Sequence, residues 1–241
     1  METIAQVAED EGITPPALIV VGKVVDYRDT LRWFDNRPLF GTRILITRPR
    51  HQARELRLKL EEKGADVVSM PAIEIQGLED FGDLDDALDG LSGYDYLVFT
   101  SVNGVAAFFK RLFDKGYDVR NLAGLTVAAI GPRTAKELWK YHVRSDMVPK
   151  AFVAESLLEE FPDQLQGKRV LIPRALLARD VLPVGLRDRG ASVHVVPVYR
   201  TVGSEDILDV PEDVDMALFT SSSTVEHFLK RAKLPAGCKL G

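Results

Sequence analysis

The chain has 241 residues, of which 46% are hydrophobic and 28% charged; that is enough for two modest domains or one large one, with the balance of an ordinary globular protein. A formal net charge of −5 weighs against nucleic acid as the main partner. The longest apolar run, residues 17–21, is far too short to span a membrane, and Glu2, Glu9, Asp10 and Glu11 rule out a secretory signal. The single cysteine, Cys238, permits no internal disulfide and fits a reducing cytoplasm.

Residues 1–38 read as a short helix over Thr3–Glu11 and an apolar strand from Pro16 to Val25 broken by Gly22, too little to form a core. Trp33 reads as a packing residue. A strand is predicted over Arg43–Thr47. A helix over Glu55–Lys63 follows, with Leu56 and Leu60 on one face and Gly64 as its stop. Asp66–Met70 is the next strand, closed by Pro71, and Tyr96–Thr100 another. Asn103–Phe113 forms a helix whose apolar face carries Val105, Phe108, Phe109 and Leu112. Thr126–Ile130 is a strand. Gly131-Pro132 then opens a helix over Arg133–Tyr141, in which Trp139 reads as packing.

The pattern then repeats. Residues 41–75 align without gaps to residues 167–201, with identities at Gly41/Gly167, Arg43/Arg169, Arg48/Arg174, Gly64/Gly190, Ala65/Ala191 and Pro71/Pro197. Residues 94–111 match 214–231 through a shared Asp, Phe-Thr-Ser, Val, Phe and Lys-Arg frame. Two ordered matches imply an internal duplication. Strands alternating with helices predict an α/β fold with parallel sheets. Gly237 stands where Gly124 stands, so the chain is expected to stop inside the second copy's next strand, as a C-terminally truncated form of low stability and little or no activity would.

The ordered motifs ILITRPR (44–50), GADVVSMPAIEI (64–75), YLVFTSVNGV (96–105), VAAIGPRTA (127–135), GKRVLIPR (167–174), VPVYRTV (196–202) and LFTSSSTVEHF (218–228) resemble uroporphyrinogen-III synthase. TPPALIVVGKVV (14–25) resembles the C-terminal end of uroporphyrinogen-III methyltransferase, as in a bifunctional fusion. The first resemblance implies two α/β domains joined by a two-stranded linker near PAIEIQG and PVYRTVG. On this sequence the domains would be residues 39–76 with 203–241, and residues 77–202, after a methyltransferase tail over 1–38. It also implies a monomeric enzyme without cofactor or metal. Its substrate would be hydroxymethylbilane, a linear tetrapyrrole with eight carboxylates, cyclised with inversion of ring D and loss of water.

A polyanionic substrate and a chain of net −5 require local donors. Thr100-Ser101 and Thr220-Ser221-Ser222 each end a strand and open a helix. Their backbone N–H groups and hydroxyls suit carboxylates, or else they are plain N-caps. Asn103 lies in the first turn of the first of these helices. Gly131-Pro132-Arg133-Thr134 offers a third helix start, with Gly131, Pro132 and Thr134 as the contact positions. Arg48 and Arg174 follow the first strand of each copy and suit bidentate pairing with carboxylates, or else they are solvated loop arginines or members of an internal ion pair. Tyr199 matches a tyrosine of the family's linker region proposed to assist departure of the hydroxyl, a step to which a phenol can donate; it is expected to face the cleft, with Val198 and Arg200 on the opposite face. His194 reads as structural, Cys238 as inert, and the four histidines lack metal spacing. The residues alone also admit a two-domain anion-binding or regulatory module without catalysis.

Overall fold

A computed structural model describes residues 2–204 and 209–241, leaving undescribed the side chains of Glu2, His51, Ser222 and Ser223. In chain order the elements are α1 (Glu2–Asp10), α2 (Arg28–Leu31), β1 (Arg43–Ile46), α3 (Arg50–Glu62), β2 (Asp66–Ser69), β3 (Ile73–Gly77), α4 (Gly82–Asp89), β4 (Tyr96–Phe99) and α5 (Val102–Asp114). Then come β5 (Thr126–Ala129), α6 (Pro132–Lys140), α7 (Ala154–Glu159), β6 (Arg169–Ala175), α8 (Val181–Asp188), β7 (Ser192–Gly203), β8 (Met216–Leu218), α9 (Ser222–Leu229) and β9 (Lys239–Leu240).

These strands build two sheets, ordered β2-β1-β8-β9 and β3-β7-β6-β4-β5. All pairings are parallel except β3 with β7, which run antiparallel from Ile73↔Gly203 to Gly77↔Tyr199. That pair is the two-stranded connection anticipated at PAIEIQG and PVYRTVG: the chain passes from the smaller sheet to the larger along β3 and returns along β7.

Parallel strands bury both faces, and the side chains divide accordingly. Leu97, Phe99 and Leu171 point into a cluster with Phe108, Phe109 and Leu138, under α5 and α6. Val98, Val170 and Ile172 point the other way, onto Leu157 of α7 and Leu182 and Leu186 of α8. In the smaller sheet Leu45 meets Phe228 of α9, whereas Ile44 and Ile46 meet Ala53, Leu56 and Leu60 of α3. Phe99, Phe108 and Phe109 interlock at centroid separations of 5.4, 6.2 and 5.5 Å, favourable for aromatic contacts.

The duplication holds in three dimensions. The pairing Arg43↔Asp66 of β1–β2 recurs as Arg169↔Ser192 of β6–β7, and Ile44↔Met216 of β1–β8 recurs as Val170↔Tyr96 of β6–β4. Matched glycines share left-handed φ values: 74° at Gly41 and Gly167, 95° and 93° at Gly64 and Gly190, 89° and 87° at Gly124 and Gly237. Glycine takes these φ values without the steric cost that a Cβ imposes. Asp95 accepts from the Arg169 amide (2.9 Å), as Asp215 accepts from the Arg43 amide (2.7 Å).

Four expectations are corrected. No strand forms over residues 16–25: Leu18 and Val21 are 89% and 81% exposed, since a β-prone segment without a pairing partner gains nothing from its propensity. Trp33 and Trp139 are exposed, at 67% and 62%. Trp33 and Phe34 lie under the Arg37 guanidinium near the α3–β2 turn, and Trp139 is on the outer face of α6. Finally, Val198 and Tyr199 enter the same core cluster instead of opposite faces. The β6–β7 register shifts from Arg174↔Pro197 to Ala175↔Tyr199, so Val198 is the extra residue of a β-bulge, which cancels strand alternation locally. In addition, α3 begins at Arg50, earlier than the apolar periodicity indicates.

Candidate active-site clefts

The C-terminal ends of β4, β5 and β6 open together on one edge of the larger sheet, the end of a parallel sheet where ligands are usually bound. A cleft of about 350 Å³ there is lined by Thr100, Ile130, Phe152, Ile172, Arg174 and Leu182, among others. Arg174 does not stand free in it. Its Nη1 donates to the Arg179 carbonyl at 2.9 Å and its Nη2 pairs with Asp180 at 2.5 Å, leaving the side chain 12% exposed and Nε buried without a partner. The internal ion pair weighed from sequence is therefore present.

Ser101 caps α5, its Oγ accepting from the Gly104 amide at 2.9 Å. The same Oγ lies 3.1 Å from the Tyr199 phenol, whose ring is 8% exposed. Because Ser101 Oγ already accepts one hydrogen bond and carries one proton, it can donate that proton to Tyr199. The phenolic proton is then free for a third group. Gly104 makes this geometry possible: a Cβ there would stand 3.0 Å from the Pro173 carbonyl and 3.1 Å from Ser101 Oγ.

A second cleft, of about 360 Å³, lies where α3 faces α5 and α6, lined by Arg48, Gln52, Glu55, Val102, Asn103, Ala106, Arg133, Lys136, Glu137 and Lys140. Gln52 donates to Asn103 at 3.0 Å, tying α3 to α5, and Arg48 Nη2 donates to Gln52 Oε1 at 3.3 Å. Burial pushes the Arg48 guanidinium below its ordinary pKa, the nearby positive charge of Arg133 adds to this, and Glu55 opposes it.

The structure thus divides the residues singled out by sequence. Thr100 and Arg174 share one cleft and Arg48 and Asn103 the other, while Ser101 and Tyr199 are joined to each other and line neither; Tyr199, expected to face the cleft, lies in the core cluster instead. Gly131 caps α6 against Phe152, Pro132 is exposed at the first helical position, and Thr134 is buried in α6. Thr220 and Ser221 line neither cleft and serve α9, where Ser221 Oγ accepts from the Thr224 amide at 3.3 Å. Ser222 is the first residue of α9, with its side chain outside the described residues. Among the described residues no group of three metal-ligating side chains occurs. His194 Nδ1 lies 2.6 Å from the Tyr94 hydroxyl, and His194 lines neither cleft; burial raises the Cys238 thiol pKa. Sequence reasoning passed over Lys136 and Lys140, which share a helix face with Arg133 at helical spacing. It also passed over Phe152 and Gln52, which carry no local signal.

Residues 54–240 match the family profile described as uroporphyrinogen-III synthase HemD. The chain belongs to the uroporphyrinogen-III synthase family. It is 34% identical over 238 residues to a "Porphyrin biosynthesis protein HemD" of Ruminiclostridium josui, a match covering 96% of this chain and 47% of that protein. The chain therefore spans about half the length of this relative. It is 33% identical over 202 residues to a uroporphyrinogen-III synthase of Synechococcus elongatus, covering 80% of this chain and 75% of that one. Among solved structures, a mutant uroporphyrinogen III synthase from the extremely thermophilic bacterium Thermus thermophilus superposes with a TM-score of 0.63 at 19% identity, covering 83% of this chain and 84% of that one. At that identity the likeness is one of fold: two α/β lobes with parallel-dominated sheets. No helix among the described residues is long and apolar enough to cross a membrane.

Proposed function

We propose that the chain catalyses the synthase reaction of its family: closure of hydroxymethylbilane to uroporphyrinogen III, with inversion of ring D and loss of water. The observation that carries this reading is the Ser101–Tyr199 hydroxyl pair, set at the root of the β3–β7 connection between the two lobes and beside strand ends that open on a cleft. The lobes are taken as residues 39–76 with 203–241, and residues 77–202.

The protein's task in such a reaction is mainly conformational. A flexible chain must be held with its ends in a strained approach, and holding them removes entropy from the barrier. Thr100, Ser101, Asn103 and the α6 start at Gly131–Pro132 supply helix-start donors for substrate carboxylates, and Arg174 and Arg48 supply guanidinium groups. Thr220, Ser221 and Ser222 would contribute from the smaller lobe on movement of α9 toward the substrate. Thr134, being buried, acts through the shape of the α6 start. Tyr199, with its own proton released by donation from Ser101, protonates the departing hydroxyl so that it leaves as water. No metal or cofactor takes part.

The segment 1–38 is read as the tail of a methyltransferase module. The match to the longer Ruminiclostridium protein extends over 96% of the chain, whereas that to the Synechococcus synthase covers 80%, a difference that supports this reading. A cytoplasmic site and a monomeric state complete the proposal.

The test is incubation with freshly prepared hydroxymethylbilane, followed by chromatographic separation of the type I and type III porphyrins after oxidation. The reaction yields the type III isomer in excess over an enzyme-free control. A product that is type I only, as spontaneous closure gives, refutes the activity.

A further inference from the structure

Asp180 opens α8, and an aspartate at a helix N-cap ordinarily accepts from the amide of the second or third helical residue. Here the third is Pro183, which has no N–H, and Asp180 makes no side-chain cap bond. Its carboxylate goes to Arg174 Nη2 instead, at 2.5 Å, while Arg174 Nη1 donates to the Arg179 carbonyl at 2.9 Å. One planar guanidinium, a rigid fork of donors, thus grips two consecutive residues of the chain.

This grip belongs to one copy of the duplication. The offset between the copies is 126 (167 − 41), so Arg54 stands in the first copy where Asp180 stands in the second (180 − 126). That position offers Arg48 no carboxylate, and Arg48 Nη2 donates to the neutral Gln52 at 3.3 Å.

What the grip holds is the segment 176–180 between β6 and α8. Its residues are all exposed, so hydrogen bonds at its two ends, more than packing, fix its course. At the far end Arg174 takes Arg179 and Asp180. At the near end the Leu176 amide donates to the Tyr199 carbonyl at 2.8 Å, the backbone of the residue whose phenol meets Ser101. Ala178 and Arg179 wall the cleft at the strand ends together with Val181 and Leu182 of α8, whereas Asp180 itself is outside the lining. An exposed segment with few buried contacts opens at low free energy, and release of one end loosens the other.

We propose that Asp180 is a positioning residue for the proposed reaction: acting through Arg174, it fixes segment 176–180 as a wall of the cleft and, through Leu176, steadies the Tyr199 backbone. The proposal rests on the synthase reading and assigns Asp180 no contact with the ligand.

The test compares the parent with Asp180→Ala, Asp180→Glu, Arg174→Gln and the Asp180→Ala/Arg174→Gln pair. Asp188→Ala, which removes the same charge from the far end of α8, is the control. Steady-state formation of the type III isomer is measured, and amide hydrogen exchange at Leu176 is followed in the ligand-free proteins. A hydrogen bond to a charged group contributes roughly 10- to 100-fold in an equilibrium constant, and the 67% exposure of Asp180 selects the lower end. Asp180→Ala should therefore lower kcat/KM about tenfold and speed exchange at Leu176 by a similar factor. Asp180→Glu should recover most of both, and Asp188→Ala should change neither. In the Arg174→Gln background the alanine change should alter kcat/KM by less than about twofold, because residues acting through one contact do not add. Equal losses in the two backgrounds overturn the proposal, since a merely weakened start of α8 acts alike in both. Exchange at Leu176 unchanged by Asp180→Ala also overturns it, as does a higher kcat/KM, the mark of a carboxylate that competes with the ligand for Arg174. A parent that forms no type III isomer removes the functional reading instead, while exchange at Leu176 decides the clamp by itself.

Discussion

Tyr199→Phe separates catalysis from packing. The ring sits in the main core cluster at 8% exposure, and phenylalanine keeps it there. The change deletes the hydroxyl and its 3.1 Å contact with Ser101, while Ser101 Oγ keeps the Gly104 amide and α5 keeps its cap. One neutral hydrogen bond contributes about 1 kcal/mol, so the midpoint of thermal unfolding should fall by about 2–4 °C. Loss of a general acid costs about 100-fold or more in rate, equivalent to about 2.7 kcal/mol of barrier. The effect on rate is thus well beyond the effect on stability, and the two are measured separately, by quenched-flow formation of the type III isomer and by calorimetry. Chromatographic separation of isomers is essential, because spontaneous type I closure adds a background that masks the loss. Ser101→Ala should lower the rate less than Tyr199→Phe and stability by about 1 kcal/mol through the lost cap. A Tyr199→Phe protein that makes the type III isomer at the parent rate refutes the catalytic role and leaves Tyr199 as a core residue.

Gly104→Ala places a methyl 3.0 Å from the Pro173 carbonyl and should destabilise by about 1–3 kcal/mol, read as a lower denaturant midpoint at unchanged slope. Asp95, which receives the Lys168 ammonium and the Arg169 amide, has its carboxyl pKa held below the ordinary value, chiefly by the Lys168 contact. Its contribution is complete above the unfolded-state pKa and is lost as pH falls through the lower folded-state value; Asp95→Asn should therefore reduce the stability difference between about pH 7 and about pH 3, and a variant whose urea midpoints track the parent's across that range would disprove it. Exhaustive chelation and dialysis should leave type III formation unchanged, and loss of activity restored by one added metal would contradict the cofactor-free reading.

Much of the fold was legible in the sequence because its signals are local. Alternating strand and helix periods, the glycines at 41, 64, 167 and 190, and the paired Phe-Thr-Ser helix starts each specify a few consecutive dihedrals, and a repeated pattern implies a repeated unit. The helix-start donors and the Ser101 cap were visible for the same reason. Tertiary structure decided what depends on partners distant in sequence. Residues 16–25 have strand propensity, yet no strand lies beside them to accept their hydrogen bonds. The bulge at Val198 follows from the register of β7 against β6, and it turns Val198 into the core beside Tyr199 against simple alternation. Arg174 is pinned by Asp180 through a loop geometry that spacing alone does not fix. The α3–α6 cleft exists only because the chain returns along β7 and sets the two sheets side by side. Arg48 and Arg133, 85 positions apart in the numbering (133 − 48), face one hollow there: pairing between strands brings residues together that no local periodicity connects.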